Sequence, residues 1–190
     1  MFRFGIGNYT SLKVIFDLTL FTMLRSLREH KKKLHGKLPH SQSAFDFWNM
    51  AALILAIIED LSLCTLTMVS STDDKWIHTL SFSSFMISAH LHFVASLLNN
   101  KYARTPFTEE ERRWFRYRIT YASLHFGIFL FAIYLYWRHN KFCEPGIYSI
   151  FALCEYFVVL MNICFHAVGF FEWGHLKYAI HDHNLIGKDE

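Results

Sequence analysis

Apolar residues of this chain form long segments that are separated by short polar ones. Four of these segments are long and apolar enough to cross a bilayer as α-helices: Trp48–Val69, Ile77–Leu98, Tyr117–Trp137 and Ile147–Phe171. A helix rises about 1.5 Å per residue, so about 20 residues span the hydrocarbon core. The pattern therefore predicts an all-α fold, a polytopic membrane helix bundle in which residues 1–190 form a single membrane domain.

A fifth segment, Leu12–Leu27, is apolar at its centre but carries Lys13 and Asp17. The two side chains are four residues apart, so they can pair on one face of a helix, or Lys13 can extend to the interface. We predict a fifth span here, which gives about five transmembrane helices. An amphipathic helix that lies on the membrane surface is the alternative.

Basic residues are distributed unevenly between the two sides of this layout. The predicted loops 28–47 and 99–116, together with Arg25, Arg118 and the C-terminal tail, hold 14 of the 19 Lys and Arg residues. Because cytosolic loops are enriched in Lys and Arg, these two loops and the C-terminus are predicted to be cytosolic. The short loops Ser70–Trp76 and Arg138–Gly146 then face a lumen or the outside.

Composition removes several other classes of protein. With 53% hydrophobic and 18% charged residues, the chain is neither disordered nor a flexible linker. Its 4 cysteines are too few and too scattered for a disulfide scaffold, and Cys154 and Cys164 are expected to pack as small hydrophobic residues. The net charge of +3 comes from loop residues without interleaved aromatics, so nucleic-acid binding is not supported.

Ionisable and polar side chains inside the predicted spans are the candidates for function. Each ionisable group costs about 2.5–3.5 kcal/mol at the bilayer centre, so such groups usually face the interior and pair. Three spans carry them: Glu59 and Asp60; the three- and four-residue stripe His78, Ser81, Phe85, Ser88 and His92; and Glu155, Asn162 and His166. One interpretation is an intramembrane polar cleft lined by Glu59, His92, Asn162 and His166. Mutual structural pairing is the other.

Motifs for common cofactors are missing from this sequence. It has no nucleophilic serine elbow, phosphate-binding loop or zinc-protease helix, and we assign no metal and no cofactor. Imidazoles on two helices, His92 and His166, can in principle hold a haem. Their unequal depths along the predicted spans argue against it.

Two stretches of this sequence resemble the post-GPI-attachment to proteins factor 2 family. One begins with Glu59-Asp60-Leu61 and continues through Leu66–Asp74 to His78, and the other runs from Arg138–Tyr148 through Glu155, Asn162 and His166 to Gly174. Members of that family are multi-spanning proteins of the Golgi and endoplasmic reticulum. They act in fatty-acid remodelling of the GPI anchor, where lyso-GPI regains a saturated chain. Members also have an additional first span, six in all, before the stretch that matches Phe4–Gly7, and this chain is expected to lack it.

The resemblance implies partners and site residues. The partners would be GPI-anchored proteins, their lyso-GPI lipid and membrane lipids, with an acyl donor that the sequence does not identify. Arg138, His139 and Asn140 would bind the lipid headgroup at the lumenal interface, where the alternative for the first two is interfacial snorkelling. The acid–base candidates nearest the ester are His78, Glu144 and Glu155. Two other classes stay open: a scaffold that presents lyso-GPI to a separate acyltransferase, and an ion-coupled transporter.

Overall fold

The computed structural model describes residues 2–70 and 72–186, with side chains described for residues 12–70 and 72–172. All regular elements in these ranges are α-helices: α1 (Phe2–His35), α2 (Gln42–Met68), α3 (Lys75–Arg104), α4 (Glu109–Phe142) and α5 (Ile147–Ile186). By length and composition α2, α3, α4 and the Ile147–Glu172 part of α5 can cross a membrane. The prediction of a polytopic, all-helical membrane protein is thereby confirmed.

Most of the helices extend beyond the predicted spans. Most residues of the predicted loops 28–47 and 99–116 are helical, and only 36–41 and 105–108 lie between helices. Ser41 caps α2 by accepting from the Ala44 amide, and Thr108 forms a capping box with Glu111 at the start of α4. Bilayer thickness sets the length of an apolar segment, whereas caps set the ends of a helix. The cytosolic placement of these residues stays a prediction.

The described residues form two compact units, Met1–Phe107 with α1, α2 and α3, and Thr108–Glu190 with α4 and α5. In the first unit, α2 and α3 pack closely, with α1 against both. Small side chains at their buried positions, including Ala52, Ala56 and Ala89, allow close approach of the backbones. Large hydrophobic residues such as Ile58 and Leu91 are exposed, as expected for a surface that faces lipid.

The buried face of α1 is polar as well as apolar. Its buried residues recur at helical spacing: Lys13, Asp17, Leu24, Leu27, Arg28 and Lys31. They show that α1 is an integral part of the first unit, although α1 is not among the helices whose composition alone qualifies them as spans. Whether it crosses the bilayer stays a prediction. The side chains of the segment matching the family at Phe4–Gly7, and those of Lys177 and Lys188 in the tail, lie outside the described residues.

Basic side chains of α1 close the C-terminal end of α3. Arg28 donates to the carbonyl of Tyr102, and also to that of His40 at 2.6 Å. Lys31 Nζ donates to the carbonyls of Arg104 at 2.6 Å and Pro106 at 2.8 Å. The last carbonyls of a helix have no intrahelical partner and carry its negative dipole end, so cations there satisfy both requirements.

The second unit is a helical hairpin. Its turn has Cys143 in the left-handed region at φ 47° and Gly146 at φ 84°. Near this turn Ala132, Leu135 and Cys154 form a buried cluster, which confirms that Cys154 packs as a small hydrophobic residue. Toward the other end, Arg118 of α4 contacts Glu172 of α5 at 3.2 Å, with both side chains almost fully buried.

Candidate functional site

A cluster of ionisable side chains lies in the core of the first unit. Its members are Lys13 and Asp17 of α1, Glu59 and Asp60 of α2, and His92 of α3, and none is more than 6% exposed. Their positions follow from helical spacing, because each lies on the face of its helix that also carries the apolar core. We call these five residues the charge network.

Lys13 is the centre of the charge network. Its Nζ lies 2.8 Å from Asp60 Oδ1, 3.2 Å from Asp17 Oδ2 and 3.7 Å from Glu59 Oε1. The predicted pairing of Lys13 with Asp17 is therefore confirmed, and the alternative in which Lys13 extends to the interface is wrong. The physical reason is that the three carboxylates stabilise the buried ammonium at close range, so Lys13 does not have to extend its side chain to the lipid headgroups.

Glu59 and His92 form a carboxylate–imidazole pair inside the charge network. His92 Nδ1 lies 2.7 Å from Glu59 Oε2, and the two side chains are 6% and 1% exposed. A carboxylate that accepts from Nδ1 fixes the tautomer and the orientation of the ring, which is how an imidazole is prepared for proton transfer through Nε2. These two side chains therefore pair, and the intramembrane polar cleft lined by them together with Asn162 and His166 stays a prediction.

The stripe predicted on α3 is also present. Ser81, Phe85, Ser88 and His92 are buried, and His78 in the first turn of α3 is half-buried. His78 Nδ1 lies 2.9 Å from the carbonyl oxygen of Val69, just after α2. Because a carbonyl only accepts, Nδ1 carries the proton and Nε2 is left as a proton acceptor.

The predicted headgroup residues lie in the last turns of α4 rather than in a loop. Arg138 Nη2 lies 3.0 Å from Glu144 Oε1 and 2.9 Å from Oε2. The side chains of Arg138 and Glu144 are 39% and 35% exposed. The ring of His139 packs on Tyr148 with 5.2 Å between centroids, while Asn140 is exposed. Glu144 thus orients Arg138, and 39% of the Arg138 side chain stays accessible.

The acid–base candidates do not form one compact group within the second unit. Glu144 precedes α5 and pairs with Arg138, whereas Glu155 is half-buried on the third turn of α5. About 12 Å of helix separates Glu155 from the start of α5 at Ile147. Asn162 and His166 lie further along the same helix, and both are buried. The sequence placed Glu155, Asn162 and His166 on one face, and their burial agrees for the last two.

Three buried ion pairs were missed in the sequence. Two join Lys13 to Asp60 and to Glu59, and the third joins Arg118 to Glu172, where Arg118 also lies 5.6 Å from the ring of Phe165. A signal for the third was available: Arg118 lies just inside one predicted span end and Glu172 just beyond another on the same predicted side of the membrane. In the sequence, Arg118 counted only as one of the basic residues on the predicted cytosolic side.

Comparison with known proteins gives the family. The model of the Frag1/DRAM/Sfk1/Cwh43P N-terminal domain matches residues 5–176. A Drosophila melanogaster protein named Post-GPI attachment to proteins factor 2 is 31% identical over 89% of this chain and 67% of its own length. The chain belongs to the post-GPI-attachment to proteins factor 2 family. The resemblance found in the sequence is therefore confirmed.

Other members of the post-GPI-attachment to proteins factor 2 family match shorter stretches. The Caenorhabditis briggsae member is 38% identical over 74% of this chain. A Xenopus tropicalis protein named Acyltransferase PGAP2 is 34% identical over 67% of the chain. The chain spans about half the length of each of these two relatives, 51% in both cases. No solved structure matches the chain.

Proposed function

We propose that this protein acts in remodelling of the GPI-anchor lipid, in the step that returns a saturated acyl chain to lyso-GPI on GPI-anchored proteins. Family membership supports the pathway, since relatives are named for post-GPI attachment and one is named an acyltransferase. One observation carries the proposal: in this family member, polar side chains of neighbouring apolar helices pair with each other, as Glu59 and His92 do at 2.7 Å. The proposed location is the Golgi or the endoplasmic reticulum.

The reaction needs a base at the lumenal interface. The free hydroxyl of lyso-GPI loses its proton to the base, its oxygen forms the new ester with the acyl carbon of the donor, and the donor's leaving group departs with a proton. His78 suits the role of base, because the Val69 carbonyl holds Nδ1 and leaves Nε2 as acceptor. We assign Glu155 and Glu144 as the remaining acid–base candidates.

Recognition of the headgroup is assigned to Arg138, His139 and Asn140. A guanidinium presents several N–H donors in a plane, which matches a lipid phosphate. Glu144 engages one nitrogen of Arg138, so the side chain is held in place while donors remain for an anion. The predicted topology places this turn and His78 on the lumenal side.

Complementation of cells that lack the native protein tests the assignment. A lyso-GPI protein has one fewer chain and is held weakly in the membrane, so failed reacylation lowers the amount at the surface. We expect His78→Ala, Arg138→Ala and Glu155→Gln to reduce surface GPI-anchored protein, measured by flow cytometry at equal expression. Matched controls are His90→Ala, a histidine of α3 off the stripe, and Lys141→Ala, an exposed cation near Arg138. Full rescue by all three variants would remove the assigned site.

A scaffold that presents lyso-GPI to another enzyme is the second candidate. The separation of Glu144 from Glu155 favours it, since the second unit alone does not assemble both acids. Purified protein incubated with lyso-GPI and acyl-coenzyme A or phospholipid donors distinguishes the two. Product formation without a second protein excludes the scaffold, and binding of lyso-GPI without turnover excludes the enzyme.

A further inference from the structure

A small, partly open cavity lies between the helices of the first unit, on the cytosolic side of the charge network in the predicted topology. Its volume is about 20 Å³, which is room for one water molecule or one small ion. All three helices contribute to its walls. Leu20, Leu24, Ala52 and Ala56 form an apolar part, and Asp17, Asn49, His92 and Asn99 form a polar part.

Two hydrogen bonds between amide groups leave one side-chain oxygen without a partner at this cavity. Asn49 Nδ2 donates to the Phe21 carbonyl at 3.1 Å, and Asn99 Nδ2 donates to Asn49 Oδ1 at 2.8 Å. These two bonds fix the orientation of both amides. Asn99 is 2% exposed, and its Oδ1 has no hydrogen-bond partner among the described residues. Burial of a carbonyl oxygen without a hydrogen-bond donor is unfavourable. This oxygen is therefore available to accept a hydrogen bond from a bound molecule or to coordinate a cation.

In the charge network beside the cavity, acidic groups outnumber basic ones. It contains three carboxylates, Asp17, Glu59 and Asp60, against the ammonium of Lys13. Asp17 belongs both to the network and to the cavity wall. A cation in this cavity would lie beside the Asp17 carboxylate and would reduce the repulsion among the three neighbouring acids, which a neutral water molecule does not do.

We propose that the cavity binds a sodium ion, with Asn99 Oδ1 and the Asp17 carboxylate among its ligands. Carboxylate and amide oxygens are hard donors that suit hard cations. Asp17 is the one acidic residue among those that line the cavity, which matches a single positive charge rather than the two of Ca²⁺, and Mg²⁺ gives up its own water shell reluctantly. The small volume disfavours a larger monovalent ion. This site does not depend on the proposed role in GPI remodelling.

Thermal unfolding of the purified full chain in detergent tests the proposal. The Tm is measured in NaCl, KCl and N-methyl-D-glucamine chloride at equal ionic strength. We expect Tm to rise with Na⁺ by about 3–6 °C for each tenfold increase above half-saturation, since the ligand binds only the folded chain. The other two salts should not produce this rise. Equal Tm values in all three salts would overturn the proposal and leave water as the occupant.

Variants connect the sodium effect to the cavity. Asn99→Ala keeps every charge of the network and should lose the Na⁺-dependent rise in Tm, as should Asp17→Asn. Asn100→Ala is the matched control, because Asn100 is a buried asparagine of the same helix that does not line the cavity. Should either cavity variant fail to fold, binding of radioactive ²²Na⁺ to the wild type and Asn100→Ala replaces the comparison. An undiminished Na⁺ effect in Asn99→Ala, or no saturable ²²Na⁺ binding, would contradict the assignment.

Discussion

Replacing Lys13 by methionine tests whether the charge network holds α1 in the first unit. Methionine has a similar length but no charge, so the change leaves Asp60, Asp17 and Glu59 without the ammonium that lies 2.8, 3.2 and 3.7 Å from them. Removing one partner of a buried ion pair costs about 3–5 kcal/mol. A chain of this size loses about 2–4 °C in Tm for each kcal/mol. We therefore expect Tm to fall by roughly 6–20 °C.

Arg25→Met is the matched control for this change. The Arg25–Asp46 pair joins the same two helices, α1 and α2, at 3.3 Å, but its side chains are 51% and 40% exposed. Exposed pairs contribute about 0.2–1 kcal/mol, so Tm should fall by less than about 4 °C. Both variants are melted in one detergent, followed by tryptophan fluorescence, after circular dichroism has shown equal helix content at 20 °C.

A double variant shows whether the loss is electrostatic. Asp60→Asn added to Lys13→Met removes a carboxylate that the first change left unpaired, so the two losses should be less than additive by about 0.5–3 kcal/mol. Two results would refute the reasoning. Either Lys13→Met and Arg25→Met melt at the same temperature, or the separate losses of Lys13→Met and Asp60→Asn simply add.

Three further predictions concern other parts of the chain. Arg118→Met should lower Tm strongly, and adding Glu172→Met should restore most of it, because an apolar pair often replaces a buried ion pair without loss; a double variant no more stable than the single one speaks against a simple ion pair. Cys143 has a left-handed backbone at φ 47°, so Cys143→Gly should stabilise the hairpin by about 1 kcal/mol relative to Cys143→Ser, measured by melting. Desolvation, with Lys101 and Arg28 nearby, lowers the pKa of His40 below 6.5. The unfolded chain then binds the proton more readily, so the contribution of His40 to stability is present above pH 6.5 and is lost as the pH falls; an NMR titration in micelles with a midpoint at or above 6.5 would contradict this.

The repeating pattern within one helix could be predicted from the sequence. The spacing from His78 to His92 depends only on the period of an α-helix, and the structure buries Ser81, Phe85 and Ser88 of this stripe as expected. The capping box at Thr108 is equally local, since its two partners are three residues apart. Lys13 with Asp17 belongs to the same class.

Contacts between helices could not be predicted from the sequence. Burial in lipid indicates that Glu59 and His92 each need a partner, but 33 residues separate them, and their meeting depends on the register of α2 against α3. The same holds for Lys13 and Asp60, which are 47 residues apart. Register is decided by the packing of many side chains, for which a single sequence gives no direct signal. The cavity beside Asn99 follows from that packing and is equally unpredictable.

The attachment of Arg28 and Lys31 to the end of α3 constrains how this chain can evolve. Both residues are counted among the cations that orient a nascent chain during insertion, and both are also built into the folded core. Neutralising them to reverse the topology would simultaneously expose the terminal carbonyls of a neighbouring helix. In the predicted topology, these two of the 14 cytosolic cations thus serve both orientation and folding, so an inverted form would require other groups to bind those carbonyls before Arg28 and Lys31 were lost.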